Sequence, residues 1–518
     1  MFSFKKVLIL GLALSLVAVV FSSCSKSSEG GGGDSSSREN TLIFSQSADP
    51  AKLDPALVTD NFSTNVVASI YEGLFTTDPE TLQIVPLLAE SYVVSDDGLK
   101  YTIVLKKGIK FHDGTPFDSE AVKMNIKRVL KGSPTRTPEM EGYADIVFKN
   151  VRDVVTEGSD KVEILLTVPD SSLISGLSMD LGVTMVSPSV LKQTNDATSS
   201  PCGTGPWKFE SWDRGSSIVL NRNENYHGNK ALFKTLIYKI IPDPSSALAA
   251  LLNGEIDFTG DISDVSKQKV EEAGCKAKMF PSLLTSYVLF NKSLSDEVTE
   301  AICHSIDVPT LTASLYKGNS DYASSFLPKE IGGHDPSVKY PKYDPALAKK
   351  LFQESGKKEL TIECYSNVKP YNPIGGKALA TGISGEIAKA GMECKVNASD
   401  WPIYMKKLAG GQFEVGVLGW RGDNVDPTNF LQLFVSTSAL NYSKFNSPEY
   451  DELYGKSLTM PFGSQERKDS FLRLENILAD KHRILPLCHN KGMYCYRSEI
   501  KNVNVPAIGV VNFSSISR

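Results

Sequence analysis

The residues of this chain best suited to chemistry are a carboxylate beside an indole and a lone cation some fifty residues earlier. Trp420-Arg421-Gly422-Asp423-Asn424 follows an alternating apolar run at 413–418, and Lys369-Pro370-Tyr371-Asn372-Pro373 follows another at 360–365. One negative and one positive charge, each just past an expected strand, suit a small zwitterion: Asp423 would face an ammonium and Lys369 a carboxylate. Reactive constellations are missing. There is no GxSxG, HExxH, Walker A or GxGxxG pattern, and Gly375-Gly376-Lys377 lacks the earlier glycine and the Ser/Thr of a phosphate loop. The six histidines are scattered with no pair at helical ligand spacing, which argues against a metal site. His112-Asp113 are neighbours on an extended segment, so they should point to opposite faces and serve a turn. No nucleophile, base and oxyanion hole assemble, so neither catalysis nor a cofactor is expected.

The elements that must position these charges read as alternating strands and helices. Residues 360–365, 392–396 and 413–418 are expected strands. Between them, 377–390 forms a helix with Ile383 and Ile387 inward and Gly391 as its stop, and Asp400 caps a helix running to Leu408. This β-α-β-α-β order implies a parallel sheet with right-handed crossovers. Ligands of open parallel sheets bind beyond the carboxyl ends of the strands, so Lys369 and Asp423 fall on one sheet edge. Just upstream, Asp344-Pro345 should open a helix as N-cap and N1, and Gly356 should end it. The first folded third is mixed α/β with short strands. Residues 41–45, 101–105 and 162–168 are strand candidates, 62–72 a helix stopped by Gly73, and Asp118 an N-cap for a helix whose apolar face holds Val122, Ile126, Val129 and Leu130.

Totals and ends narrow the class. The 518 residues carry a formal net charge of −5 without a basic cluster, which disfavours a nucleic-acid partner. Lys5 and Lys6 precede a charge-free run of fifteen residues, 7–21, too short for a membrane span and suited to an export signal. Ser22-Ser23-Cys24 resembles a bacterial lipoprotein cleavage site, with Cys24 as the acylated residue. Residues 25–40, with four consecutive glycines and six serines, are too polar to fold and would tether the domain over roughly 22 Å. Seven cysteines remain besides Cys24. Cys488 and Cys495 flank a possible hairpin turn at 490–493, and Cys364 and Cys394 fall in candidate neighbouring strands. Either could pair, or all could be free buried thiols.

Seven ordered blocks make the chain recognisable. They are Leu53-Asp54-Pro55, Tyr71-Glu72-Gly73-Leu74-Phe75, Pro86-Leu87-Leu88-Ala89-Glu90-Ser91, Asp97-Gly98-Leu99-Lys100-Tyr101-Thr102, Phe111-His112-Asp113-Gly114-Thr115-Pro116-Phe117, Gly203-Thr204-Gly205-Pro206-Trp207 and Gly254-Glu255-Ile256-Asp257. Together they resemble the peptide/nickel family (family 5) of extracytoplasmic solute-binding proteins that feed ABC importers. Gly419 to Phe430 is similar to the Gly-Trp-x-Gly-Asp-Asn-x-Asp-Pro-x-Asn-Phe signature of the dipeptide-binding branch.

That resemblance implies an α/β, two-lobed periplasmic-binding-protein-like fold (type II, cluster C) with an extra α/β subdomain in the N-terminal lobe. The expected division is a signal peptide at 1–24, a tether at 25–40, lobe I at 41–83, 203–285 and 495–518, the subdomain at 84–202, and lobe II at 286–494. It further implies that Asp423 holds a peptide α-amino group, with Gly422 beside it and Trp420 packed on the ligand. Lys369 stands where the branch has the carboxylate-binding arginine, followed by Tyr371, and Thr59 to Asn61 line the cleft from the opposite lobe. The implied role is a monomeric, lipid-anchored, extracytoplasmic protein that delivers dipeptides or short peptides to permease subunits. Glutathione, haem or a nickel chelate is the alternative cargo, since lysine lacks the planar fork of arginine.

Overall fold

The computed structural model describes residues 38–140, 142–260, 262, 266–369 and 372–518. The expected signal peptide, Cys24, most of the tether and Tyr371 lie outside the described residues.

Two large mixed sheets organise the chain from residue 40 onward. One has seven strands in the order Cys275–Phe280, Gly492–Arg497, Phe258–Thr259, Thr41–Gln46, Thr235–Ile240, Ser217–Arg222 and Trp207–Asp213. The other has six: Ser320–Tyr322, Ile484–Asn490, Leu284–Phe290, Val415–Arg421, Glu359–Tyr365 and Glu393–Ser399. A four-stranded antiparallel sheet, Ala89–Val94, Lys100–Leu105, Lys161–Leu166 and Val151–Glu157, is inserted between early strands of the first. The chain passes between the two large sheets twice, through residues 281–283 and again at Lys491, and the Ser282 hydroxyl donates to the carbonyl of Asn490 where the passages meet.

Local chemistry explains the elements that carry the charged loops. Asp344 caps the helix Pro345–Ser355 by accepting from Leu347 N at 2.9 Å, and Gly356 closes it at φ 69°, a left-handed conformation glycine adopts without a Cβ penalty. Asp118 caps Ser119–Val129 in the same way, through Ala121 N. Glu359–Tyr365 runs parallel to both Glu393–Ser399 and Val415–Arg421, with the helices Gly376–Lys389 and Trp401–Ala409 as crossovers. The sheet is mixed overall, because Val415–Arg421 is antiparallel to Leu284–Phe290. Every residue of Leu284–Phe290 is buried, as a strand covered on both faces requires. Val288, Phe290, Ile362, Val415 and Val417 pack in one core, and Tyr287, Leu289, Tyr365 and Leu418 in another.

Several expectations need correction. The strand before Asp423 extends to Arg421, because its ladder with Leu284–Phe290 continues through Trp420 opposite Thr285 and Arg421 opposite Leu284. The early helix is Asn61–Ile70, and Tyr71 ends it in an extended conformation two residues ahead of Gly73. Asp400 precedes its helix without a side-chain cap; its carboxylate accepts from Ser366 Oγ at 3.0 Å instead. Residues 490–493 do not turn a hairpin: Cys488 belongs to the six-stranded sheet and Cys495 to the seven-stranded one. Cys364 lies opposite Ala398 and Cys394 opposite Leu360, four positions out of register. All seven described cysteines are free thiols.

Candidate functional site

Asp423 is held by the loop that follows its strand, and each fixed residue of that loop has a task. Gly422 is needed for close approach: its N–H donates to Leu283 O at 2.7 Å, and a Cβ there would stand 2.7 Å from Phe430 Cε2. Asn429 Oδ1 accepts from Trp420 Nε1 at 2.9 Å and from the Asp423 N–H at 3.3 Å, while its Nδ2 donates to Asp423 Oδ2 at 3.4 Å. Asn424 Oδ1 accepts from Asp426 N, and Asp426 in turn accepts from Thr428 N and Oγ1. Behind the loop, Arg467 grips Asp426 with two prongs, Nη1 to Oδ2 at 2.7 Å and Nη2 to Oδ1 at 3.1 Å, the two side chains being 3% and 1% exposed. This is the strong, bidentate geometry of a buried Arg–carboxylate pair.

The carboxylate of Asp423 itself meets neutral donors. The Tyr143 hydroxyl, at the start of the short helix Tyr143–Val147, donates to Oδ1 at 3.1 Å. Nearby Arg421 turns aside and donates to the carbonyl of Ile508 at 2.8 Å. Burial pushes the Asp423 carboxyl above its ordinary value, and the bonds from Asn429 and Tyr143 and the Arg421 charge offset this only in part. Burial and the Asp423 charge together push the Tyr143 hydroxyl well up, so it stays a donor.

Lys369 lies four residues beyond its strand, at the same sheet edge as Asp423 because the two strands are parallel neighbours. Its Nζ sits 3.9 Å from the centroid of the Trp401 ring, and among the described residues no carboxylate pairs with it. Burial lowers its pKa. Its backbone forms a two-way bridge with Asn372, at 3.2 and 2.8 Å. Thr59 and Asn61 are exposed, and no hydrogen bond joins them to Asp423 or Lys369 among the described residues. Thr59 is nevertheless beside the Tyr143 turn: a Cβ on Gly142 would stand 3.7 Å from Thr59 Cγ2. Sequence reasoning missed Tyr143 and Trp401. Asn429 stood inside the recognised signature, and its spacing from Asp423 was the available signal.

Other features are structural. His112 Nε2 bonds to the carbonyl of Gly205 at 2.9 Å while Asp113 accepts from Ser187, Ser189 and Thr115. The two side chains thus take different partners, but from the centre of a turn closed by Gly114 N on Phe111 O at 2.9 Å and not from an extended segment. A cavity of about 780 Å³ is lined in part by Glu72, Phe75, Trp207 and Phe513 and reaches the Asp423 loop at Ile508, the carbonyl partner of Arg421, although neither Asp423 nor Lys369 lines it. Glu72 there is already satisfied by Thr204, Tyr226 and His227. Among the described residues no cluster of three or more His, Cys, Asp or Glu could hold a metal, and no helix is long and apolar enough to cross a membrane.

Two large α/β sheets, exchanging the chain twice, with opposite charges on loops at one sheet edge, define a two-lobed solute-binding fold. The description "bacterial extracellular solute-binding proteins, family 5 Middle" matches residues 83–442, and the chain belongs to that family. It is 26% identical over 552 residues to the dipeptide-binding protein of Escherichia coli (strain K12), covering 99% of each chain. It is likewise 26% identical over 545 residues to heme-binding protein A of Haemophilus influenzae, covering 98% of each. Among solved structures it is similar to the periplasmic binding protein DppA from Helicobacter pylori in complex with the peptide STSA. That likeness has a TM-score of 0.76 and 26% identity, covering 92% of this chain and 98% of that one.

Proposed function

We propose that the chain captures dipeptides or short peptides outside the cytoplasm and delivers them to the permease of an ABC importer. Asp423 takes the peptide α-ammonium, Lys369 the carboxylate, and Trp420, Gly422, Tyr371, Thr59 and Asn61 line the cleft between two lobes that close on the ligand. Cys24 carries a lipid that anchors the monomer to the membrane.

One observation carries this reading. Asp423 is a half-buried carboxylate met by two neutral donors, Tyr143 and Asn429, and by no salt bridge among the described residues. A desolvated negative charge is costly unless a cation completes it, and a ligand ammonium is that cation. An extended dipeptide is about 7 Å long, so charges fixed at its two ends would measure length. Backbone hydrogen bonds of the strand-addition kind would add affinity without reading side chains.

Titration calorimetry with a dipeptide and its N-acetyl derivative tests the amine end. The acetylated form should fail to bind, and Asp423→Ala should cost the free dipeptide about 2–5 kcal/mol. Micromolar affinity retained by Asp423→Ala would sink the assignment. Haem is the second reading, favoured by the equal identity to heme-binding protein A. Haem binding with no dipeptide heat would select it.

A further inference from the structure

The contacts around Lys369 form a closed frame. Its backbone bridges to Asn372, whose side chain donates through Nδ2 to the Tyr365 hydroxyl at 2.9 Å and accepts through Oδ1 from the Tyr316 hydroxyl at 3.0 Å. Asn372 and Tyr365 are fully buried, and Tyr316 is nearly so. Tyr365 packs edge-on against Trp401, ring centroids 5.4 Å apart at 80°. Trp401 returns to the start of the circuit, its ring face 3.9 Å from Lys369 Nζ. A third ring, Tyr404, leans on both Tyr365 and Trp401 and is tied to the sheet by its hydroxyl, which donates to Val417 O at 2.6 Å. The frame thus draws on four separate stretches of chain, and the sheet fixes two of its members, Tyr365 within a strand and Tyr404 through its bond to Val417 O.

We infer that Trp401 is a positioning residue, whose ring face holds the Lys369 ammonium in place to receive a ligand carboxylate. This rests on the reading that Lys369 binds the acid end of the ligand. A lysine head group is a compact charge on a flexible four-carbon stem, and nothing in its own shape aims it. A π face under one side supplies an electrostatic seat without consuming a hydrogen-bond acceptor. A carboxylate neighbour would have seated the ammonium as well, but it would have neutralised the charge the ligand needs. With the ring beneath it, the ammonium keeps N–H donors free on the side facing away from Trp401. The recognised class is a free α-carboxylate, whatever side chain precedes it, because no member of the frame has a reason to contact that side chain.

The test measures the preference of the protein for the dipeptide Ala-Ala over its C-terminal amide by calorimetry. The proteins are wild type, Lys369→Met, Trp401→Met (similar bulk, no π face) and Trp401→Phe (π face kept). Wild type should prefer the free acid, and Lys369→Met should lose that preference. Trp401→Met should weaken acid binding about tenfold with amide binding nearly unchanged, and Trp401→Phe should restore most of the loss. An unchanged preference in Trp401→Met beside a lost one in Lys369→Met overturns the role of Trp401 alone. Equal weakening of acid and amide in Trp401→Met also overturns it, since the indole would then merely shape the pocket. A preference that survives Lys369→Met overturns the underlying assignment of the acid end.

Discussion

The Tyr143 hydroxyl donates to Asp423 Oδ1 at 3.1 Å, joining residues 280 positions apart in sequence. The two belong to different structural parts, Tyr143 to a helix between strands of the inserted antiparallel sheet and Asp423 to the loop at the edge of the six-stranded sheet. A carboxylate has room for about four donors, so Tyr143, Asn429 and a ligand ammonium can be accommodated together. Tyr143 therefore supports the charge without cancelling it. Tyr143→Phe should weaken dipeptide binding by about 1.5–3 kcal/mol, the worth of a hydrogen bond to a charged group. Calorimetry decides, and tighter binding would mean that the hydroxyl competes with the ligand.

Binding should depend on acidity through Asp423. Its carboxyl is raised above the ordinary carboxylate value in the free protein, chiefly by burial, and a ligand ammonium would favour the ionised form and lower it. Affinity should therefore be flat from the raised free-state value up to about pH 7, where the ligand amine begins to lose its proton, and fall as pH drops below the Asp423 value, beginning at a higher pH than an exposed aspartate would give. In that range binding should release protons. Calorimetry in buffers of different ionisation enthalpy measures the release, and proton uptake would contradict the role.

Stability should respond to a different group. Glu475 is fully buried, accepting from Phe326 N at 2.6 Å and Ser325 Oγ at 2.7 Å, and burial pushes its carboxyl up to about 7. A group whose folded value exceeds its unfolded one contributes stability that is fully present below the unfolded value. That contribution is lost as pH rises through the folded value. The loss here spans the interval from the ordinary glutamate range to about pH 7. Denaturant unfolding at about pH 5 and about pH 8 should show the decline, and Glu475→Gln should flatten it. An identical pH slope in the variant would exclude Glu475 as the source.

The pair behind the binding loop is predicted to be structural. Removing Arg467 strands the buried Asp426 carboxylate, a loss of about 3–5 kcal/mol. Arg467→Met should lower the unfolding free energy from denaturant titration by that amount and loosen the loop bearing Asp423. A variant as stable as wild type would show that Asp426 finds another partner.

Much of this arrangement was legible in the chain because its causes are local. Asp118, Asp344 and Gly356 announce helix ends through bonds made within four residues, and the apolar runs at 360–365 and 413–418 mark, within a few residues, the strands found at Glu359–Tyr365 and Val415–Arg421. What escaped depends on distant partners. Asn490-Lys491-Gly492 has the composition of a hairpin turn, yet Gly492–Arg497 finds its longer ladder with Cys275–Phe280, in another sheet. Trp420 lies in a strand because of a neighbour about 135 residues earlier, Thr285. Tyr143 carries no local mark of its place beside Asp423, and Trp401 reads as an ordinary helix opener until the sheet sets Lys369 above it. At the candidate site the residue types were readable, whereas the contacts that aim them were not.

The two passages of chain between the large sheets have a mechanical meaning. Two adjacent pins define an axis, and a body held by two pins can swing about that axis but cannot easily slide or twist across it. Residues 281–283 and Lys491 are those pins, fastened to each other by Ser282 and Asn490. One of them contains Pro281, whose ring locks φ, so less of any swing can be taken up there than by an unrestricted triplet. In the proposed closure such a pair of passages would favour a narrow set of paths, and Tyr143 and Asp423 would meet again at the same place each time the sheets come together.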